Sequence, residues 1–183
     1  MARYVAFLRA INIGGHIVKM ADLRHYFMDA GFTDVETYIQ TGNVIFTAEQ
    51  DDRDNLEQQI ETHLEHILGY PVATFLRTFP ELEAVVAHQP FPAAEFEAGA
   101  SLYIAFLKTE PTPEIQNKIL SFTNEVDAFD VHGRELYWLG RKQQMQSTFS
   151  SALLEKTIGG PATVRNVNTV RKMVAKYYST DYY

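Results

Sequence analysis

Tyr4-Val5-Ala6-Phe7-Leu8-Arg9-Ala10 near the start of the chain and Tyr103-Ile104-Ala105-Phe106-Leu107-Lys108-Thr109 past its middle are two versions of one segment. Each reads as a short apolar strand that runs into a cation. The recurrence, 99 residues apart at the opening tyrosine, marks an internal duplication, which sets the architecture and tells where each half begins.

Working outward from the first copy, the strand over Tyr4 to Leu8 leads into an Asn12-Ile13-Gly14-Gly15 loop and a helix from about Met20 to Ala30. Leu23, Tyr26 and Phe27 recur at helical spacing there, and Gly31 stops the helix. A strand over Val35 to Gln40 turns through Thr41-Gly42-Asn43 into another over Val44 to Thr47, the glycine permitting the positive φ of a tight turn. Leu56, Ile60, Leu64, Ile67 and Leu68 form one apolar face of a long helix that ends at Gly69. Val72 to Arg77 then closes the repeat in the order βαββαβ. Glu81 to His88, with Pro80 near its start, reads as a helix linking the halves.

The second copy repeats the order: a strand over Leu102 to Leu107, a helix through Ile115, Ile119 and Phe122, and strands around Val126 to Val131 and Glu135 to Leu139. His132-Gly133-Arg134 takes the place of the Thr41-Gly42-Asn43 turn, an offset of 133 − 42 = 91. Phe149, Leu153, Leu154 and Ile158 supply its second helix, Ala162 to Arg165 a closing strand, and Asn168 to Tyr178 a last helix. The expected class is α+β, with two ferredoxin-like repeats, a linking helix and a C-terminal helix. The expected boundaries are 1–88 for the first repeat with its linking helix, 89–101 for a linker and 102–183 for the second repeat with its terminal helix. With the strands in the order 4-1-3-2, Arg9, Asn12, Gly14, Gly15, Gln40, Thr41, Gly42 and Asn43 gather at one rim of the first sheet.

Composition narrows the classes. Of 183 residues 46% are hydrophobic, enough for a packed core, and no cysteine is present for disulfides or thiolate metal sites. No apolar run reaches membrane-spanning length and the first is too short for an export signal, so the cytosol is the expected address. The net charge of −7 disfavours nonspecific attraction to nucleic acid. It is unevenly placed: seven acids lie between Glu49 and Glu65, and none between Lys156 and Thr180. Both stretches read as solvated helix faces.

The loop glycines match neither nucleotide-binding motif: the Gly-Lys-Ser/Thr of a P-loop is absent and the dinucleotide spacing is different. A glycine pair can still present backbone N–H groups to an anion. Arg165-Asn166-Val167-Asn168-Thr169 sits where a helix begins, a place that favours negative charge and where an arginine can clamp a carboxylate or phosphate. His63 and His66 lack a third ligand, so no metal site is expected. His16 and His132 each stand beside a turn glycine, and His16 is the residue offered for acid–base work. Ser147, Ser150 and Ser151 lack a nucleophile-elbow context.

Phe7 to Gly15, Lys19 to Arg24, Tyr38 to Phe46 and Arg165 to Val170 together resemble the bacterial domain-of-unknown-function family 1697 along essentially the whole chain. The resemblance implies a compact α/β protein of bacteria with no assigned reaction. Its signature takes in Arg9, Asn12, Gly14, Gly15, Gln40, Gly42, Asn43, Arg165, Asn166 and Asn168, a set richer in polar and glycine residues than a core would be. This chain departs from the family pattern at Ala10 (glycine), Thr41 (serine), Val164 (threonine) and Val167 (tryptophan).

The leading expectation is a protein that holds an anionic small molecule between the Arg9/Asn12/Gly14/Gly15 loop, the Gln40 to Asn43 hairpin and the Arg165 to Asn168 segment, with no cofactor or reaction named. A second reading is nucleic-acid binding through the basic C-terminal helix. A third is an interaction scaffold, monomer or homodimer, with Tyr177-Tyr178 and Tyr182-Tyr183 as its contact tail.

Overall fold

Alternation of apolar residues decides the first sheet. In β1 (Ala2–Leu8), Tyr4, Ala6 and Leu8 face one way and Val5 and Phe7 the other, and all five are buried. The computed structural model describes residues 1–12, 14–49, 52–141 and 146–178. After β1 come α1 (Met20–Asp29), β2 (Thr33–Thr37), β3 (Asn43–Ala48), α2 (Arg53–Leu68), β4 (Thr74–Thr78) and α3 (Phe79–Ala87). Then follow α4 (Ala93–Glu97), β5 (Ser101–Leu107), α5 (Pro113–Leu120), β6 (Asp127–His132), β7 (Glu135–Gly140), α6 (Ser151–Ile158), β8 (Ala162–Asn166) and α7 (Val167–Tyr177). The two sheets have the orders β2-β3-β1-β4 and β6-β7-β5-β8, antiparallel throughout, so the ferredoxin-like arrangement occurs twice. The chain divides into two compact units, the first running from Met1 to Leu82 and the second starting at Glu83, with the boundary inside α3.

In the first unit Leu23 and Phe27 of α1 and Leu56, Ile60 and Leu64 of α2 pack on Tyr4, Ala6, Leu8, Val44, Phe46 and Leu76 of the sheet. In the second, Ile119 of α5 and Leu154 of α6 join Ala105, Leu107, Phe129 and Leu136, and α7 packs against β5 and β8. Strand register carries the duplication to atomic detail. Tyr4 pairs with Phe46 and Tyr103 with Trp138, and in both pairs the rings touch, with centroids 5.8 and 5.2 Å apart. Val5 pairs with Arg77 and Ile104 with Arg165, so the two arginines are counterparts. Both are buried, and each donates from Nη1 to the carbonyl just before it, Leu76 O at 2.8 Å and Val164 O at 3.0 Å.

Four details differ from the sequence reading. Strand β2 ends at Thr37 instead of continuing to Gln40, because Ile39 takes φ +51° and breaks the extended chain. Phe7 pairs with Asn43 and Phe106 with Glu135, so the register counterpart of Gly42 is Arg134, not Gly133; Gly133 sits one residue early in a shorter turn. The stretch between α3 and β5 contains a helix, α4, which Arg141 grips by donating to both carboxylate oxygens of Glu95 at 3.0 and 2.7 Å.

The fourth concerns the acidic run, which is not wholly solvated. Glu57 is buried; its Oε1 accepts from Leu76 N at 2.9 Å, and Glu61 Oε1 accepts from Thr74 N at 2.8 Å. These carboxylates cover alternate N–H groups on the outer edge of β4 and so blunt an edge that would otherwise invite another strand. Glu155 of α6 does the same for Ala162 N on β8, at 3.2 Å.

Candidate functional site

The first-unit rim is built where β1 runs out. Leu8 N donates to Gly42 O at 2.8 Å and Arg9 N to Ala73 O at 2.9 Å, which draws the β2–β3 hairpin and the α2–β4 loop to the end of β1. The backbone then reverses: Ala10, Gly14 and Gly15 have φ of +53°, +71° and +86°. Asn12 holds the reversal in shape. Its Oδ1 accepts from Val18 N at 2.7 Å and its Nδ2 donates to Gln40 O at 3.4 Å, so one side chain braces its own loop and ties it to the hairpin. The hairpin has its own brace. Asn43, fully buried, donates from Nδ2 to Tyr38 O at 2.9 Å and to Thr41 Oγ1 at 2.8 Å.

Residues that sequence topology sends to one rim are therefore brought together, and they divide by task. Asn12 and Asn43 are occupied as braces. Gly42, at φ +78°, lies where a Cβ would fall 2.8 Å from Ile11 Cγ2, so packing alone demands glycine there. Around Gly14 and Gly15 a Cβ would meet nothing within 4 Å, and both glycines, Gln40 and Thr41 are exposed. The open, donor-bearing part of the rim is thus the glycine pair with Gln40 and Thr41, next to half-buried Arg9.

His16 stacks on Tyr70, with ring centroids 3.8 Å apart, and the Tyr70 hydroxyl donates to Ile11 O at 3.3 Å. Burial, then the neighbouring Tyr26, raises the Tyr70 phenol above its ordinary range. Tyr70 is a rim residue that sequence reasoning did not single out. Its signal was its place directly after Gly69, the left-handed cap of α2, on a loop already assigned to the same edge. Ile17 and Ile39 stand exposed beside the loop and hairpin, and Ile39 does so at a positive φ unusual for a β-branched residue.

The Arg165 to Asn168 segment belongs to the second unit. Arg165 is buried in β8, its Nη1 donating to Thr163 Oγ1 at 2.7 Å, and desolvation pulls its guanidinium down to about 10. Asn166 caps α7, its side chain accepting from Asn168 N at 2.9 Å, while Asn168 is exposed and accepts from Arg171 Nη1 at 3.4 Å. His132 stacks on His88 at 4.2 Å, and His88 Nε2 lies 2.9 Å from Asp130 Oδ2. Among the described residues no group of three or more His, Cys, Asp or Glu side chains could hold a metal ion, and no helix is long and apolar enough to cross a membrane. Tyr182 and Tyr183 lie outside the described residues.

Comparison with known proteins places the chain without naming a reaction. A family model described as a protein of unknown function, DUF1697, matches residues 1–137. No curated protein matches. Among solved structures, the conserved bacterial protein SP0830 from Streptococcus pneumoniae is similar with a TM-score of 0.71 at 24% identity, over 97% of this chain and 99% of that one. The likeness is one of fold.

Proposed function

We propose that this chain, which belongs to DUF1697, a family of proteins of unknown function, binds an anionic small molecule at the first-unit rim. The observation that carries the reading is the Asn12 tie between the glycine loop and the hairpin. It sets open backbone at Gly14 and Gly15, where an added Cβ would meet nothing within 4 Å, on the same rim as the exposed Gln40 and Thr41 and half-buried Arg9, a cation with polar groups to orient a ligand. In this reading Arg9 neutralises charge, Gln40 and Thr41 orient the ligand, and His16, held flat on Tyr70, is the group placed for proton transfer. Asn12, Gly42 and Asn43 keep the frame. Arg165, Asn166 and Asn168 form a second part of the proposal, in which the exposed amide of Asn168 is the contacting group.

A thermal-shift panel of inorganic phosphate, sugar phosphates, nucleotides and carboxylates tests this. A ligand bound only by the folded form adds about 2.7 kcal/mol of stability at a hundred times its Kd. The expected result is a raised melting temperature with at least one anion, lost in Arg9→Gln. No shift across the panel, or an undiminished shift in that variant, overturns the reading.

A second reading, nucleic-acid binding through α7, is favoured by one observation. Arg171, Lys172 and Lys176 are exposed on that helix while Val170, Met173 and Tyr177 are buried. Its test is the salt dependence of binding to mixed RNA and DNA; affinity that does not fall steeply with salt removes it.

A further inference from the structure

We propose that the second unit has a ligand cleft of its own, between the β5–α5 and α6–β8 loops, and that it takes a small organic monocarboxylate with an apolar body.

The cleft lies where the two repeats differ in sequence length. By strand register Leu8 corresponds to Leu107, so Arg9 corresponds to Lys108 and a cation follows the strand in both repeats. What comes next differs. In the first unit residues 9–19 separate β1 from α1, and two of them, Ile11 and Val18, fold down into the core beside Leu8. In the second unit only residues 108–112 separate β5 from α5, and Pro111 is the sole buried residue among them. Leu107 is covered instead from the helices: half-buried Ile115 and Ile158 pack against its core cluster and leave it 2% exposed. Outside that layer, between the two loops, lies a cleft of about 290 Å³, near the lower limit of the usual range for small-molecule sites.

Its lining selects the ligand. Half-buried Ile115 and Ile158 and exposed Pro161 give the cleft an apolar lining, while Lys108, Thr109 and Thr112 supply polar groups. Thr112 is also the N-cap of α5, its hydroxyl accepting from Ile115 N at 3.3 Å, so the positive end of that helix lies beside the lysine. Glu110 lines the same cleft. One cation and a helix terminus opposed by one carboxylate suit a single negative charge and disfavour a phosphate dianion, and the apolar lining suits an alkyl chain. The inference rests on this cavity and stands independently of ligand binding at the first-unit rim.

Methyl-resolved NMR of the full chain, with isoleucine δ1 labels, reads the two places separately: Ile115 and Ile158 report on the cleft, Ile11 and Ile39 on the first-unit rim. Hexanoate is the probe, with hexanol and inorganic phosphate beside it. The expected result is saturable movement of the Ile115 and Ile158 signals with hexanoate, weaker movement with hexanol and none with phosphate. Lys108→Gln is expected to weaken hexanoate by about tenfold, the scale of one charge-assisted contact, and to leave hexanol unchanged. Absence of saturable movement at Ile115 and Ile158 overturns the cleft, as does an equal response to phosphate. An unchanged hexanoate affinity in Lys108→Gln overturns the assignment of the carboxylate to that lysine. If that variant fails to fold, the hexanoate-to-hexanol ratio in the unaltered protein decides, and equal affinities refute the carboxylate. Movement confined to Ile11 and Ile39 supports the first-unit reading and refutes this one.

Discussion

The two hairpin turns reach the same strand by different means. In the first unit Leu8 N donates to Gly42 O at 2.8 Å, and in the second Leu107 N donates to Arg134 O at 3.0 Å, so one backbone bond is kept while glycine is exchanged for arginine. The first turn spans Tyr38 to Gly42, wraps over Ile11 and Leu8 and leaves no room for a side chain; the second is the two-residue link Gly133-Arg134, clear of such neighbours. The long loop is packed down into a braced rim, and the short loop lines a cleft with the α6–β8 loop. The duplication has thus kept the sheet and let the rims diverge.

Gly42→Ala tests the contrast hardest. Its Cβ would lie 2.8 Å from Ile11 Cγ2 and 3.2 Å from Leu8 Cβ at a φ of +78°. Overpacking and left-handed strain together are expected to cost about 2 to 4 kcal/mol. Gly133→Ala, at φ +59° with its nearest neighbour the far end of Glu135 at 3.6 Å, bears only the strain, about 1 kcal/mol. Urea denaturation of both variants measures the gap, and equal losses would break the comparison of the turns.

A middle-sized effect separates the two sheet edges. Leu76 N and Thr74 N on β4 both find carboxylates, from Glu57 and Glu61, whereas on β8 Glu155 serves Ala162, the counterpart of Thr74. One turn before Glu155 stands exposed Ser151, in place of a second acid. Glu57→Ala strands a buried N–H and is expected to cost about 1 to 3 kcal/mol. Glu155→Ala, at a half-buried and longer bond, is expected to cost about 0.5 to 1 kcal/mol. Chemical denaturation checks the ranking, and dynamic light scattering checks whether Glu57→Ala also promotes association through the uncovered edge.

These cases show which features sequence could carry. The strand pair Tyr4 to Leu8 and Tyr103 to Leu107 declares the duplication because burial on both faces keeps the residues apolar, and helix faces such as Leu56-Ile60-Leu64 follow from their period. The rim was legible as well, since antiparallel order alone sends the β1–α1 loop and the β2–β3 hairpin to one edge. The work of Glu57 and Glu61 was not, because a carboxylate that accepts from an edge strand and one that faces water look alike in a helical repeat. Arg77 and Arg165 were equally hidden, as their equivalence rests on a register offset that falls from 99 residues at Tyr4 and Tyr103 to 88 at the arginines. Ile39 defied its own propensity: β-branched, it reads as strand, yet the turn imposes φ +51°.

The smallest expected effect is also the one that should change sign between the repeats. Ala10 stands where the family resemblance implies glycine, and its φ is +53°, a conformation that costs an alanine about 1 to 2 kcal/mol. Ala10→Gly removes that strain but adds unfolded-chain freedom worth about 0.4 to 1 kcal/mol, so a net stabilisation of about 0.5 kcal/mol is expected. Thr109, the register counterpart after β5, does not share the positive φ. Thr109→Gly therefore meets only the entropic term and is expected to lose about 0.5 to 1 kcal/mol. Matched thermal melts of the two variants decide the matter. Opposite signs mean that the first loop reverses at residue 10 in solution, as a glycine would; a loss in both would place Ala10 in ordinary backbone and remove the reversal on which the braced rim depends.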